Sequence, residues 1–384
     1  MNRQVRHVLF ALYSASIAAG CGDSSSGSTP PPPVVVKFAT LDGAQETPST
    51  TSTAVGSGVL AVDTATGKVA GFITTTGLTA TAAHVHDAAR GTAGSVIVPL
   101  AGGPNVWVVP DAAAPLTPAQ IAEFSAGNLY FNAHTAANPG GEIRGQLDKT
   151  GTVKFASLAG AQETPATTST AIGAGILAVD TTSGKVAGFI TTSGLTATAA
   201  HVHDAARGTA GSVIVPLAGG PNVWVVPDGA AAISSTQIAD FSAGNLYFNA
   251  HTTANPGGEI RGQLDNTGTV KFASLAGAQE TPPTTSTAVG AGILAVDTTS
   301  GKVAGFITTT GLTATAAHVH DAARGTAGSV IVPLAGGPNV WVVPDGAAAI
   351  STTQITDFSA GNLYFNAHTA ANPGGEIRGQ LDRP

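Results

Sequence analysis

Ten histidines stand in the 384-residue chain, and all but His7 occupy three positions of a text that is written three times. His84-Val-His86-Asp87 recurs as His201-Val-His203-Asp204 and His318-Val-His320-Asp321, so each copy follows the last by 117 residues. The segment Asn128 to Thr135, which carries His134, recurs with His251 and His368. In a strand, residues two apart share a face, so His84 and His86 project together. A His-x-His pair joined by a third imidazole from another strand is a common way to hold Zn or Cu, because neutral imidazoles suit those ions and a rigid sheet fixes their geometry. The candidate ligands are therefore His84, His86 and His134, with His201, His203, His251, His318, His320 and His368 as their copies.

The same alternation sorts the neighbours. On Leu129 to Thr135, Tyr130, Asn132 and His134 face one way and Leu129, Phe131 and Ala133 the other. Along Glu142 to Leu147, Ile143 and Leu147 point inward, while Glu142, Arg144 and Gln146 point with the histidines. A polar cluster of Asp87, Glu142 and Arg144 is expected in the first copy. Asp204, Glu259 and Arg261 repeat it in the second copy, and Asp321, Glu376 and Arg378 in the third. Glu142 or Asp87 could complete or orient a metal centre. The competing reading has the histidines hydrogen-bonded to Asp87, Glu142, Asn132 or backbone, with Glu142 and Arg144 paired across the sheet. The triplication does not decide between them, since duplicated copies inherit their residues whether or not those residues work.

Other chemistry is thinly represented. There is no Gly-x-Ser-x-Gly, no Gly-rich phosphate loop and no thiol within the repeats, so a catalytic role is not expected. Trp107 with Val106 and Val108 reads as a core aromatic rather than a stacking platform. Asp63-Thr-Ala-Thr-Gly67 reads as a turn rather than half a calcium loop.

The elements that must carry these residues are short. Val34 to Leu41 alternates like an opening strand, and Asp42 to Thr53 reads as a loop. Gly58 to Asp63 and Lys68 to Thr75 form a hairpin closed at Gly67. Ala83 to His86 and Ser95 to Leu100 form a second hairpin around the polar loop Asp87 to Gly94, followed by a short strand at Asn105 to Val109. Thr117-Pro-Ala-Gln120 carries the marks of a helix start, and Gly127 sits where that helix would stop. Two closing strands, Asn128 to Thr135 and Glu142 to Leu147, are joined through Asn138-Pro-Gly-Gly141.

A period of 117 residues is a domain rather than a solenoid turn, whose units run about 20 to 50 residues. About seven strands per copy predict an all-β chain of three tandem antiparallel β-sandwich domains, immunoglobulin-like or superoxide-dismutase-like, each with one short helix. The domains are expected at residues 34-148, 151-265 and 268-382. Joints as short as Asp148-Lys-Thr-Gly151 and Asp265-Asn-Thr-Gly268 predict a closely coupled string.

The composition fits: 43% hydrophobic residues and only 10% charged describe a globular chain. A net charge of -7, with no Lys/Arg cluster in the repeats, argues against nucleic acid as a partner. At the N-terminus, Arg3 and Arg6 precede the apolar run Val8 to Gly20, which is too short to span a bilayer and reads as a secretory signal over residues 1-20. Ala18-Ala-Gly-Cys21 resembles the lipobox of bacterial lipoproteins, and that resemblance implies that Cys21 is the lipid-bearing residue. The alternative is an ordinary signal cleaved nearby, leaving Cys21 as an odd thiol. Residues 21-33, rich in Ser and Gly and ending in four prolines, read as a tether.

Four motifs carry a family resemblance: Ala44-Gln-Glu-Thr-Pro48, Gly77-Leu78 ahead of His84-Val-His86, Asn128-Leu-Tyr-Phe-Asn-Ala-His-Thr135, and Asn138-Pro-Gly-Gly-Glu-Ile-Arg-Gly-Gln-Leu147. Together they resemble the CHRD domain, first described in chordin and also found in bacterial secreted proteins. The resemblance implies a β-rich extracellular domain and does not carry over growth-factor binding, for which no residue here argues. The His-x-His strand and the Gly-rich closing segment with an arginine also resemble the Cu/Zn superoxide dismutase sandwich. Each repeat has too few histidines for a two-metal centre and no disulfide, which argues against dismutase activity.

The reading that follows is an exported, lipid-anchored repeat protein of the periplasm or cell surface, held to a membrane through Cys21. It is expected to act as a non-catalytic binding or structural module toward an unknown protein or surface ligand. The alternative is a Cu- or Zn-binding protein with one histidine-rich site per domain, serving storage, delivery or weak redox chemistry.

Overall fold

The nine strands of the first repeat join in a single antiparallel sheet. The structure is a computed structural model that describes residues 34 to 384; the expected signal, the tether and Cys21 lie outside the described residues. In chain order the strands are β1 (Val34–Asp42), β2 (Val55–Asp63), β3 (Val69–Thr76), β4 (Ala82–Asp87), β5 (Ser95–Pro99), β6 (Ala101–Gly102), β7 (Val106–Val108), β8 (Leu129–His134) and β9 (Ile143–Gln146), with helix α1 (Pro118–Ala126) between β7 and β8. Their order across the sheet is β5-β4-β8-β9-β1-β2-β3-β7-β6. Both other repeats have the same order. The chain is thus all-β in three tandem domains, each a barrel-like curled sheet with few short helices.

Within each domain the sheet folds over its own core. The halves β5-β4-β8-β9 and β1-β2-β3-β7-β6 are joined through one register pair, Asp42 opposite Arg144. Leu60, Ile73 and Trp107 of one half pack with Val85, Phe131 and Ile143 of the other in a common buried cluster. Local chemistry explains the ends of the elements. Thr117 and Gln120 form the expected reciprocal cap, and Gly127 closes the helix at φ 83°. Asp63 accepts hydrogen bonds from the backbone amides of Ala65 and Thr66, so this segment is a turn. Gly67 there has φ 72°, and a Cβ would sit 2.2 Å from the Leu116 carbonyl oxygen.

The short joints predicted a coupled string, but the domains close into a ring. Thr40 Oγ1 of the first domain donates to the Val226 carbonyl of the second, Ser157 Oγ of the second to Val343 of the third, and Ser274 Oγ of the third to Val109 of the first. Arg383, near the C-terminus, donates to the carbonyls of Val69 and Pro110 in the first domain.

The reason lies in β1 to β3, whose residues are buried almost without interruption. Their second face, with Phe38, Val59, Ala61 and Phe72, packs on its counterparts from the other two domains in a shared core. At its centre Phe72, Phe189 and Phe306 meet edge to face with centroids 6.1 to 6.2 Å apart. Arg90–Asp228, Arg207–Asp345 and Arg324–Asp111 ion pairs bridge successive domains at the periphery. Burying one such Phe side chain is worth about 1.5–3 kcal/mol, against about 0–1 for a half-exposed ion pair, so the apolar face closes the ring and the ion pairs trim it.

Candidate metal centre

The three histidines of each repeat converge. In the register of β4 with β8, Ala82 lies opposite His134, His84 opposite Asn132 and His86 opposite Tyr130. His134 is therefore diagonal to His84 on the same face. One ligand nitrogen from each of His84, His86 and His134 falls within 4.8 Å of the other two, and the same holds for His201, His203 and His251 and for His318, His320 and His368.

Backbone carbonyls set the tautomers. His86 Nδ1 lies 3.0 Å from the Gly94 carbonyl, and His134 Nδ1 lies 3.0 Å from that of Pro139. A carbonyl only accepts, so both rings carry hydrogen on Nδ1 and present the Nε2 lone pair to the site. His86 Nε2 is buried with no hydrogen-bond partner, as are His203 Nε2 and His320 Nε2. His134 Nε2 is met by His84 Nδ1 at 3.0 Å. A metal-bound imidazole commonly donates its other N–H to a backbone carbonyl, and two of the three rings already do so. Tetrahedral Zn with bonds of about 2.0–2.1 Å needs nitrogens about 3.3 Å apart, so modest side-chain movement would seat an ion.

Electrostatics keep the rings neutral and ready to coordinate. Burial holds His86 and His134 below the ordinary imidazole range. His84 is pushed down to about 4, by burial first and then by its two histidine neighbours. In the second domain His251 is pushed down to about 4 for the same reasons.

A stack supports the site from below. The Tyr130 ring lies against His86 with centroids 4.9 Å apart and planes 12° from parallel. The Arg144 guanidinium sits 3.5 Å from the Tyr130 centroid. Arg144 is only 1% exposed, and it donates to the carbonyls of Thr92 and Ala89 and to Gln146 Oε1. Tyr130 Oη accepts from the Gly94 amide. The loop between β4 and β5 thus fixes His86 and Arg144 together, and through Arg90 it also reaches Asp228 of the next domain.

The rest of the expected polar cluster does not join the histidines. Glu142 Oε2 accepts from Asn138 Nδ2 and Thr135 Oγ1 in its own loop, and hydrogen bonds from Asn138, then Ser52, then Thr135 hold its carboxyl below the usual range. The expected Glu142–Arg144 pair is not among the ion pairs of the described residues, because the loop carbonyls claim the guanidinium. Glu259 and Glu376 are engaged as Glu142 is, and Arg261 and Arg378 as Arg144 is. Asp87 lies at the end of β4, where burial and Glu123 push its carboxyl up; Asp204 and Asp321 sit likewise against Asp240 and Asp357.

Glu46, within the Ala44–Pro48 motif, is not counted among the site residues expected from the sequence. Glu46 Oε1 and Asn132 Oδ1 are both buried without a partner, and a Cβ on Gly141 would lie 2.6 and 2.8 Å from them. Burial raises the Glu46 carboxyl to about 7. Tyr130, which alternation puts on the histidine side, lies directly opposite His86 once β4 pairs with β8.

The family model of the CHRD domain matches this chain three times, over residues 37–147, 155–264 and 272–381. The chain belongs to the CHRD family. Each match runs from β1 through the closing strand, so the three histidines, Tyr130 and Arg144 all lie inside the CHRD domain. No curated protein and no solved structure matches the chain.

Proposed function

We propose that each CHRD domain of this chain holds one Zn or Cu ion through three imidazoles, and that the protein is a non-catalytic metal-binding module with three such centres. The observation that carries this is the convergence of His84, His86 and His134, with Nε2 of His86 buried and unpartnered. An unmet buried acceptor is costly, and a metal ion relieves that cost. Three neutral nitrogens suit Zn and Cu better than Mg or Ca, which prefer oxygen. Among the described residues no carboxylate joins the triads, so a general base beside the ion is lacking, which favours storage or delivery over hydrolysis. Export and anchoring through Cys21 complete the reading and rest on the N-terminal sequence alone.

The test is calorimetric titration of the chelator-stripped chain with Zn(II) and with Cu(II). Three equivalents are expected per chain, reduced to none in the His86→Ala/His203→Ala/His320→Ala variant. Uptake of fewer than one equivalent by the unmodified chain would refute the reading. Radiolabelled fatty acid that enters the chain but not Cys21→Ser tests the anchor separately.

A further inference from the structure

Where the three domains meet, the ring axis carries a cavity of about 830 Å3 whose wall comes from all three. On β3, Phe72, Thr74 and Thr76 share a face by alternation, and Phe72 belongs to the shared core. Thr74 therefore points toward the axis one layer above the phenylalanine triangle, with Thr191 and Thr308 at the same positions of their domains. All three line the cavity and are 1 to 3% exposed. Exposed Asn105, Asn222 and Asn339 stand at the rim, so the cavity is a cup with a buried floor.

The hydroxyls differ from layer to layer. Thr76 Oγ1 donates to the Gly220 carbonyl, and Ser193 and Thr310 make the same bond to Gly337 and Gly103, so that layer is occupied in closing the ring. Thr74 Oγ1, one layer deeper, is buried with no partner. Thr75, Thr192 and Thr309 alternate to the opposite face, beside Ile143, Ile260 and Ile377, so their hydroxyls face the domain cores and not the cup. The unpartnered Thr74 hydroxyl, beside the buried Thr191 and Thr308 at the same level, leaves donor and acceptor capacity at the floor of the cup without its complement.

We propose that this axial cup binds a neutral polyhydroxylated molecule of mono- to disaccharide size. The wall has no acidic, basic or histidine side chain, so a charged ligand would lose hydration without a counter-charge. Threonine hydroxyls can donate and accept, which matches a ligand whose groups do both. Val106, Val223 and Val340 supply apolar surface for the C–H face of a sugar ring. The volume falls within the range of about 300–1,000 Å3 that small-molecule sites occupy.

The test uses the full chain with methyl-labelled threonine, titrated with glucose, mannose, N-acetylglucosamine, maltose and cellobiose, and with sulfate as the charged probe. At least one sugar is expected to shift the Thr74, Thr191 and Thr308 methyl resonances. The Thr74→Val/Thr191→Val/Thr308→Val variant should bind that sugar at least about tenfold more weakly, while the triple Thr→Ser variant retains it. The wild-type methyl map decides the matter alone if the valine variant does not fold. No shift with any sugar, tighter binding of sulfate, unchanged affinity in the valine variant, or affinity that keeps rising with oligosaccharides longer than the cup would each overturn the proposal.

Discussion

The two halves of each curled sheet use their second faces in opposite ways. On β4, β8 and β9 that face carries His84, His86, Tyr130, His134 and Arg144, and it is covered by the domain's own loops. On β1, β2 and β3 it carries Phe38, Val59 and Phe72, and it is covered by the other domains. A polar second face can be finished locally, by backbone carbonyls that fix ring tautomers and a guanidinium. An apolar one cannot, and it must find an equal apolar face elsewhere. The chain holds three equal faces, and they meet on one axis.

The contrast makes predictions of descending size. Phe72→Ala should cost about 3–5 kcal/mol, measured by chemical denaturation, because the triangle cannot collapse around the cavity. A cost below about 1 kcal/mol would show that the axial face does not hold the ring. Next in size is metal linkage: an ion at about a thousand times its Kd should stabilise its domain by about 4 kcal/mol. The thermal midpoint should therefore rise on adding Zn, and not in the variant lacking His86, His203 and His320.

Protonation should act in two directions in the metal-free chain. The histidine pKa values are depressed in the fold, so below about 6.5 the unfolded chain takes up protons that the folded chain refuses. Stability from this source is complete above about 6.5 and is lost as the pH falls toward about 4, the value reached by His84 and His251. Glu46, Glu163 and Glu280 are raised to about 7, so their contribution is complete below about 4.5 and is lost as the pH rises through 7. Replacing all three with Gln should flatten the alkaline loss, followed by thermal melts from pH 5 to 8. A triple-Gln variant with the wild-type alkaline slope would place that loss elsewhere. The smallest effect belongs to the peripheral ion pairs: Arg90→Ala should cost under about 1 kcal/mol, and less in high salt.

What the sequence made legible was what local rules determine. The His-x-His spacing, the Thr117/Gln120 cap and the Gly127 stop all depend on residues within a few positions of one another, and all are present in the structure. Glu142 was expected beside the histidines because alternation puts it on their side. Thr135 and Asn138 hold it in its own loop instead, where short-range hydrogen bonds outcompete a more distant partner. The ring was hidden for a different reason. Runs such as Gly58-Val-Leu-Ala-Val62 and Val69-Ala-Gly-Phe-Ile73 signal strands buried on both sides, but nothing in a local pattern names the surface that covers the second side. The diagonal approach of His134 to His84 likewise depends on the register of strands that are far apart in the chain.

Imidazole counting tests the central claim most directly. X-ray absorption on the chain loaded with three equivalents of Zn should give a first shell containing three histidine nitrogens at about 2.0–2.1 Å with their ring scattering. A shell dominated by oxygen, with one histidine or none, would contradict it.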